Sequence, residues 1–264
     1  MSADARISAG LAPAAAASPW GRTAAEASLT GVWALDLSLE PGGWPELEGR
    51  ADEVRAHFAL RQADNPALWN GPILLMRGDF RLADGNLSGR FRQSDFASFL
   101  WWRDAGWPDL GMVNAFALAA MEGSDGGFVL GVMGAHTSMG GRIYFPGGTP
   151  DPSDVTADGR VDLVGSVFRE LEEETGLIAA DVAEDLGFTA VFDGPRVALL
   201  RRLVFAVPAD ALAARIRAFL AAEATPELAD VAVVHGEADL SERIAPFPAR
   251  YMRGRRAPPR GPVF

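Results

Sequence analysis

The chain has 264 residues, 48% of them hydrophobic, and a formal net charge of −11, so it can bury a sizeable core and is poorly suited to broad nucleic-acid binding. It contains no cysteine, which excludes disulfides, thiolate metal sites and a cysteine nucleophile. Lysine is absent as well, which excludes a Schiff-base lysine and a lysine-bearing phosphate loop.

Residues 1–30 are rich in Ala, Ser, Gly and Pro and read as a mobile leader. Their mildly apolar stretch lacks the basic start and leucine-rich centre of a secretory signal. From Thr30 the pattern changes. Val32, Ala34, Leu35 and Leu37 predict a strand before the Pro41-Gly42-Gly43 turn, and Glu46 to Ala63 predicts a helix. A loop, Asn65-Pro66-Ala67-Leu68-Trp69-Asn70-Gly71, follows. Two strands, Ile73–Arg81 and Leu87–Gln93, flank an Asp84-Gly85-Asn86 turn, and Ser94 to Ala105 predicts a helix capped by Ser94 or Asp95.

Val113–Glu122 and Gly127–Met133 read as paired strands, and Arg142–Phe145 as a short strand leading to Gly147 and Gly148. A helix carrying Val164, Val167, Phe168 and Leu171 on one stripe comes next, stopped by Gly176. Gly187–Phe192 and Val197–Val207 predict a hairpin around Asp193-Gly194-Pro195. Asp210–Ala222 predicts a helix, and Pro226–Val234 leads to a last strand. Ser241–Ala245 reads as a short helical turn, and the Pro- and Arg-rich residues beyond Pro246 as a lid, a dimer arm or a disordered end. No apolar run reaches the length of a membrane helix.

Chemistry concentrates between Phe145 and Leu177. Glu170, Glu173 and Glu174 lie at i, i+3 and i+4, so their carboxylates share one helix face. Three such charges repel one another unless a cation sits among them. An all-oxygen donor set suits a hard divalent ion, Mg²⁺ or Mn²⁺.

Residues 169–177, Arg-Glu-Leu-Glu-Glu-Glu-Thr-Gly-Leu, resemble the closing half of the Nudix hydrolase signature, and Phe145-Pro146-Gly147-Gly148 resembles the loop that leads into it. The resemblance implies a Nudix-type α/β/α sandwich with a mixed sheet, preceded here by a small β-rich region. The implied division is a leader at 1–30, an N-terminal region at 31–112, the hydrolase domain at 113–240 and a tail at 241–264. The implied activity is metal-dependent hydrolysis of a diphosphate bond in a nucleoside diphosphate derivative. The Asn-Pro-x-Leu-Trp-Asn-Gly loop and Phe99-Leu100-Trp101-Trp102-Arg103-Asp104 are similar to segments of the UDP-glucose/UDP-galactose diphosphatase branch. Their alternative reading is core packing. Asp151-Pro152-Ser153-Asp154 after the Gly-Gly loop is also similar to coenzyme A diphosphatases. A non-catalytic Nudix-fold binding module is the third reading.

The same resemblance assigns Glu170, Glu173 and Glu174 to metal. Arg169, four residues before Glu173, reads as the cation that orients these carboxylates. Gly147 and Gly148 would let backbone approach metal or phosphate, and Arg77 and Arg103 are candidate substrate grips beside Arg90 and Arg92. The signature's own glycine and first glutamate fall on Val155 and Val161. Asp162 is the leading substitute for that glutamate, with helix capping as its other reading. Asp151 and Asp154 read as solvated turn residues. Glu227, in a loop before the last strand, is the candidate general base. His57, His136 and His235 read as structural. A homodimer is implied by the family, and the cysteine-free composition suits the cytoplasm.

Overall fold

A computed structural model describes residues 29–256; most of the Ala-rich leader and the last eight residues lie outside them. Among the described residues, twelve strands form one mixed sheet. Its long axis begins with β1 (Leu29–Val32), β10 (Val182–Asp193), β11 (Arg196–Phe205) and β6 (Met112–Glu122). It continues through β3 (Pro72–Arg77) and β5 (Asn86–Asp95) to β2 (Ala34–Leu39). β11 pairs with β6 in parallel, as β2 does with β5, and the other neighbours on this path run antiparallel. The two ends of the path, β1 and β2, are separated in the chain by Trp33 alone, so the sheet curls back toward itself. Trp33 and Ala34 both donate backbone N–H to Gly85 O, which holds that junction. β4 (Arg81–Ala83) completes the turn at Asp84-Gly85 by pairing with β5.

All of β6 is buried, and its side chains alternate between two cores. A central strand covered on both faces has little need of polar positions, hence its apolar run from Ala115 to Met121. Ala115, Ala117 and Ala119 face one core with the helices α4 (Leu163–Thr175) and α5 (Ala209–Ala222); Phe116, Leu118 and Ala120 face the other. Alanine on the α4 side lets that helix lie close to the sheet through Val167 and Leu171, both fully buried. β7 (Phe128–Met133) joins β6 and carries β8 (Ile143–Tyr144) on one edge and β12 (Leu228–Val234) on the other.

Three differences from the sequence reading have clear causes. Residues beyond Pro246 were expected as a lid, dimer arm or loose end; instead Pro246–Arg256 form helix α6. Phe247, Tyr251 and Met252 of α6 close the second core against Phe116, Phe128 and Phe145, and that burial outweighs the local Pro and Arg content. The N-terminal region is not a separate unit, because β1 pairs with β10 and β3 with β6, across the expected boundary at residue 112. The leader expected to run to residue 30 gives way at Leu29 to β1, because β1 finds a partner in β10. The N-terminal helices α1 (Pro45–Glu48), α2 (Ala51–Asp64) and α3 (Phe96–Asp104) enclose a third core of Trp44, Phe58, Leu100, Trp101 and Trp102. Asp95 caps α3 by accepting from Ser98 N at 2.8 Å.

Candidate active site

The site forms where α4 passes the short strand β9 (Gly147–Gly148), which pairs with β6. Gly147 has φ of 130°, and a Cβ there would lie 2.3 Å from Ala117 O, so only glycine fits. That approach aims the Gly147 N–H at Glu174, whose Oε1 accepts it at 2.8 Å. Glu174 is 5% exposed, and its Oε2 is buried without a donor. Burial pushes the Glu174 carboxyl well above the usual range and the charge of Glu227 adds to this, while the Gly147 N–H works against it. Burial also raises Glu170 to about 7, against the pull of Arg169, and the charges of Glu173 and Glu227 push the same way. Ionised, neither carboxyl can donate to the other, so Glu170 and Glu174 can bond only when one of them is protonated.

Arg169 binds three carboxylates. Its Nη2 meets Asp154 Oδ1 at 3.0 Å, and its Nη1 meets Glu170 Oε1 at 2.8 Å and Glu173 Oε2 at 3.0 Å. The Asp154 side chain is 3% exposed, and its Oδ2 accepts the Asp151 N–H at 3.0 Å. Asp154 was expected as a solvated turn residue. Its burial against Arg169 makes it an anchor for the whole acidic set. The signal for it was the short Asp-Pro-Ser-Asp run, a capped turn in the structure that turns Asp154 inward.

Asp162, expected among the metal ligands, is the N-cap of α4: its Oδ1 accepts from Val164 N at 3.1 Å and Gly165 N at 2.9 Å. It precedes Glu173 by eleven residues, a rise of about 16 Å along the helix, too far for both to hold one ion. Gly165 leaves room for the capping carboxylate, whose Oδ2 lies 2.6 Å from where a Cβ would stand. Arg77, expected as a substrate grip, lies on β3, where it pairs with Glu40 and Asp79 at 3.2 Å each. Glu40 is further held by Arg90 and Arg92, so this arginine cluster is a structural network of the N-terminal sheet. Arg103 is bonded to Asp104 at 2.8 Å and reaches Met139 Sδ at 3.6 Å, on the loop joining β7 to β8. Gly148 has open space where a side chain would be.

Glu227 comes to the acidic set from the start of β12. Partial burial raises its pKa, His136 opposes that rise and Glu173 adds to it. Tyr144, which the sequence reading did not single out, faces the same place. Burial raises its hydroxyl pKa, and the charges of Glu174, Glu227 and Glu170 raise it further. Its position two residues before the Pro-Gly-Gly loop was the only local hint.

The donor set is all oxygen, one buried carboxylate oxygen lacks a partner, and burial with neighbouring negative charge raises the pKa values of Glu170, Glu174 and Glu227; these properties fit a hard divalent cation. Among the described residues no three acidic or imidazole groups already meet at one point, because Arg169 draws Glu170 and Glu173 toward itself. The Glu173 side chain is 59% exposed and is held by Arg169.

No protein-family profile and no curated protein matches the chain. Solved structures similar to it include a Nudix hydrolase of M. smegmatis, RenU, at 20% identity over 53% of this chain and 81% of that one, with a TM-score of 0.33. The MutT protein of Methanosarcina mazei Go1 is 18% identical over 54% and 91%, with a TM-score of 0.36. The E. coli ORF135 protein is 20% identical over 56% and 96%, with a TM-score of 0.33. Likeness at this level leaves the functional reading to the geometry of the site.

Proposed function

We propose that this chain is a Nudix-type diphosphatase that hydrolyses a nucleoside diphosphate derivative, a UDP-sugar first among the candidates, with a divalent cation. The observation that carries the reading is the buried, unpartnered Glu174 Oε2, on a carboxyl that feels the charges of Glu170 and Glu227. Such an arrangement costs stability in the bare protein and is supported by a role that needs concentrated negative charge. Glu170, Glu173 and Glu174 would hold Mg²⁺ or Mn²⁺, which when bound neutralises phosphate charge and acidifies a water.

The chain's own groups have separable tasks. The Gly147 N–H fixes the orientation of Glu174. Arg169, anchored by Asp154, sets the directions of Glu170 and Glu173. Glu227, raised above the usual carboxylate range, is the group suited to take a proton from an attacking water. Coenzyme A is the second candidate substrate, because Asp154 of the Asp-Pro-Ser-Asp run is built into the site through Arg169.

The test is release of phosphate-bearing products from UDP-glucose, coenzyme A and ADP-ribose, with and without Mg²⁺. Hydrolysis of one of these that disappears in EDTA and in Glu174→Gln supports the reading. An unaltered rate in Glu174→Gln would overturn it, and absence of hydrolysis of all three by the wild type would leave a binding module as the better account.

A further inference from the structure

Besides its strand pairings with the catalytic half, the N-terminal region grips one loop that is bonded to the Glu227 backbone. Asn65 ends α2, and its Nδ2 donates to the carbonyl oxygens of His136 at 2.9 Å and Thr137 at 3.4 Å. Its Oδ1 accepts from Ala67 N at 3.2 Å, so the amide is held at both ends. The loop it grips, residues 134–142, folds on Gly134: Thr137 N and Oγ1 both donate to Gly134 O, at 3.0 and 2.9 Å. Gly134 N in turn donates to Glu227 O at 2.8 Å. A second tether from α3, Arg103 to Met139, reaches the other end of the same loop.

Glu227 precedes β12, whose first residue Leu228 pairs with Met133 beyond a register shift at Asp230, so the Gly134–Glu227 bond is the outermost link between this loop and the strand. The His136 ring lies over Gly134, where an added Cβ would sit 2.6 Å from that ring and 2.8 Å from Glu227 O. His136 and the Glu227 backbone therefore both press on the space one methyl at Gly134 would fill. The loop cannot shift without moving both.

We propose that Asn65 is a positioning residue for Glu227, acting through the 134–142 loop, so that the N-terminal region is a working part of the hydrolytic site. This inference rests on the diphosphatase reading. The path runs from the Asn65 amide to the loop carbonyls, from Thr137 to Gly134, and from the Gly134 N–H to Glu227. Asparagine suits the task because it supplies two donors on a short side chain; aspartate of the same size supplies none.

The test uses the full chain and whichever of UDP-glucose, coenzyme A and ADP-ribose the wild type cleaves with Mg²⁺. Asn65→Ala and Asn65→Asp are each expected to lower kcat roughly tenfold, with KM changed less than about twofold. In a Glu227→Gln background the same changes should alter kcat by less than about twofold, because the two residues act on one path. Amide exchange across 134–142 should quicken in Asn65→Ala while α4 is unchanged, a readout independent of turnover. Equal factors in both backgrounds, or an unaltered kcat despite a loosened loop, would overturn the inference and leave the diphosphatase reading intact. A Glu227→Gln variant with normal kcat would also overturn it. Absence of any hydrolysis by the wild type would remove both.

Discussion

Replacing Glu170 by Gln should stabilise the metal-free protein, and only above the acid range. Burial lifts the Glu170 carboxyl from 4.5 to about 7, with Glu173 and Glu227 adding and Arg169 opposing. Because the folded-state pKa is the higher one, the unfolded chain has released this proton between pH 4.5 and about 7 while the folded chain still holds it. Stability therefore falls as pH rises through that window, and the loss is complete above it. At about 1.4 kcal/mol per pKa unit the penalty is roughly 3 kcal/mol. The lost Glu170–Arg169 contact is already contained in that net value. Gln keeps the shape and cannot ionise, so Glu170→Gln should unfold several degrees higher than wild type at pH 8 in EDTA, and together with it at pH 4.5. Thermal unfolding followed by circular dichroism at both pH values measures this. A variant no more stable at pH 8, or equally stabilised at both pH values, would refute the reasoning. Saturating Mg²⁺ should narrow the gap at pH 8, since binding to the folded state stabilises wild type preferentially.

Other consequences follow from single contacts. Asp162→Ala should lose about 1 kcal/mol of stability, the value of an N-cap, and leave hydrolysis unchanged; a large loss of Mg²⁺ affinity in titration calorimetry would restore Asp162 to the metal set. Gly147→Ala places a methyl 2.3 Å from Ala117 O and should destabilise by roughly 3 kcal/mol, read as a lower urea midpoint. Asp154→Asn removes the buried charge on Arg169 and should lower kcat by about tenfold or more, with a smaller change in unfolding midpoint than in rate. Tyr251→Phe removes a hydroxyl that is fully buried and without a partner, so it should be neutral or stabilising by up to about 1 kcal/mol in denaturant unfolding.

Local patterns were legible from the residues alone. The stripe of Val164, Val167 and Leu171, with Gly176 after it, announced α4 and the face on which Glu170, Glu173 and Glu174 stand, because helical spacing and the left-handed preference of glycine act over a few residues. The apolar run from Ala115 to Met121 in β6 and the Asp84-Gly85 turn were readable for the same reason.

What lay beyond the sequence was decided by partners distant in the chain. Capping and metal ligation ask for the same short acid, so Asp162 and Asp154 could be told apart only once the chain had folded. Then α4 began at Leu163, and Arg169, fifteen residues after Asp154, closed on it. The Pro- and Arg-rich C-terminal segment became a helix because Phe116 and Phe128 offered it a surface. Glu227 and His136 met because β12 lies beside β7. The sequence by itself determined which residues carry charge and which helix presents them. The curled sheet decided which charges are buried together, because desolvation depends on neighbours that no local spacing encodes.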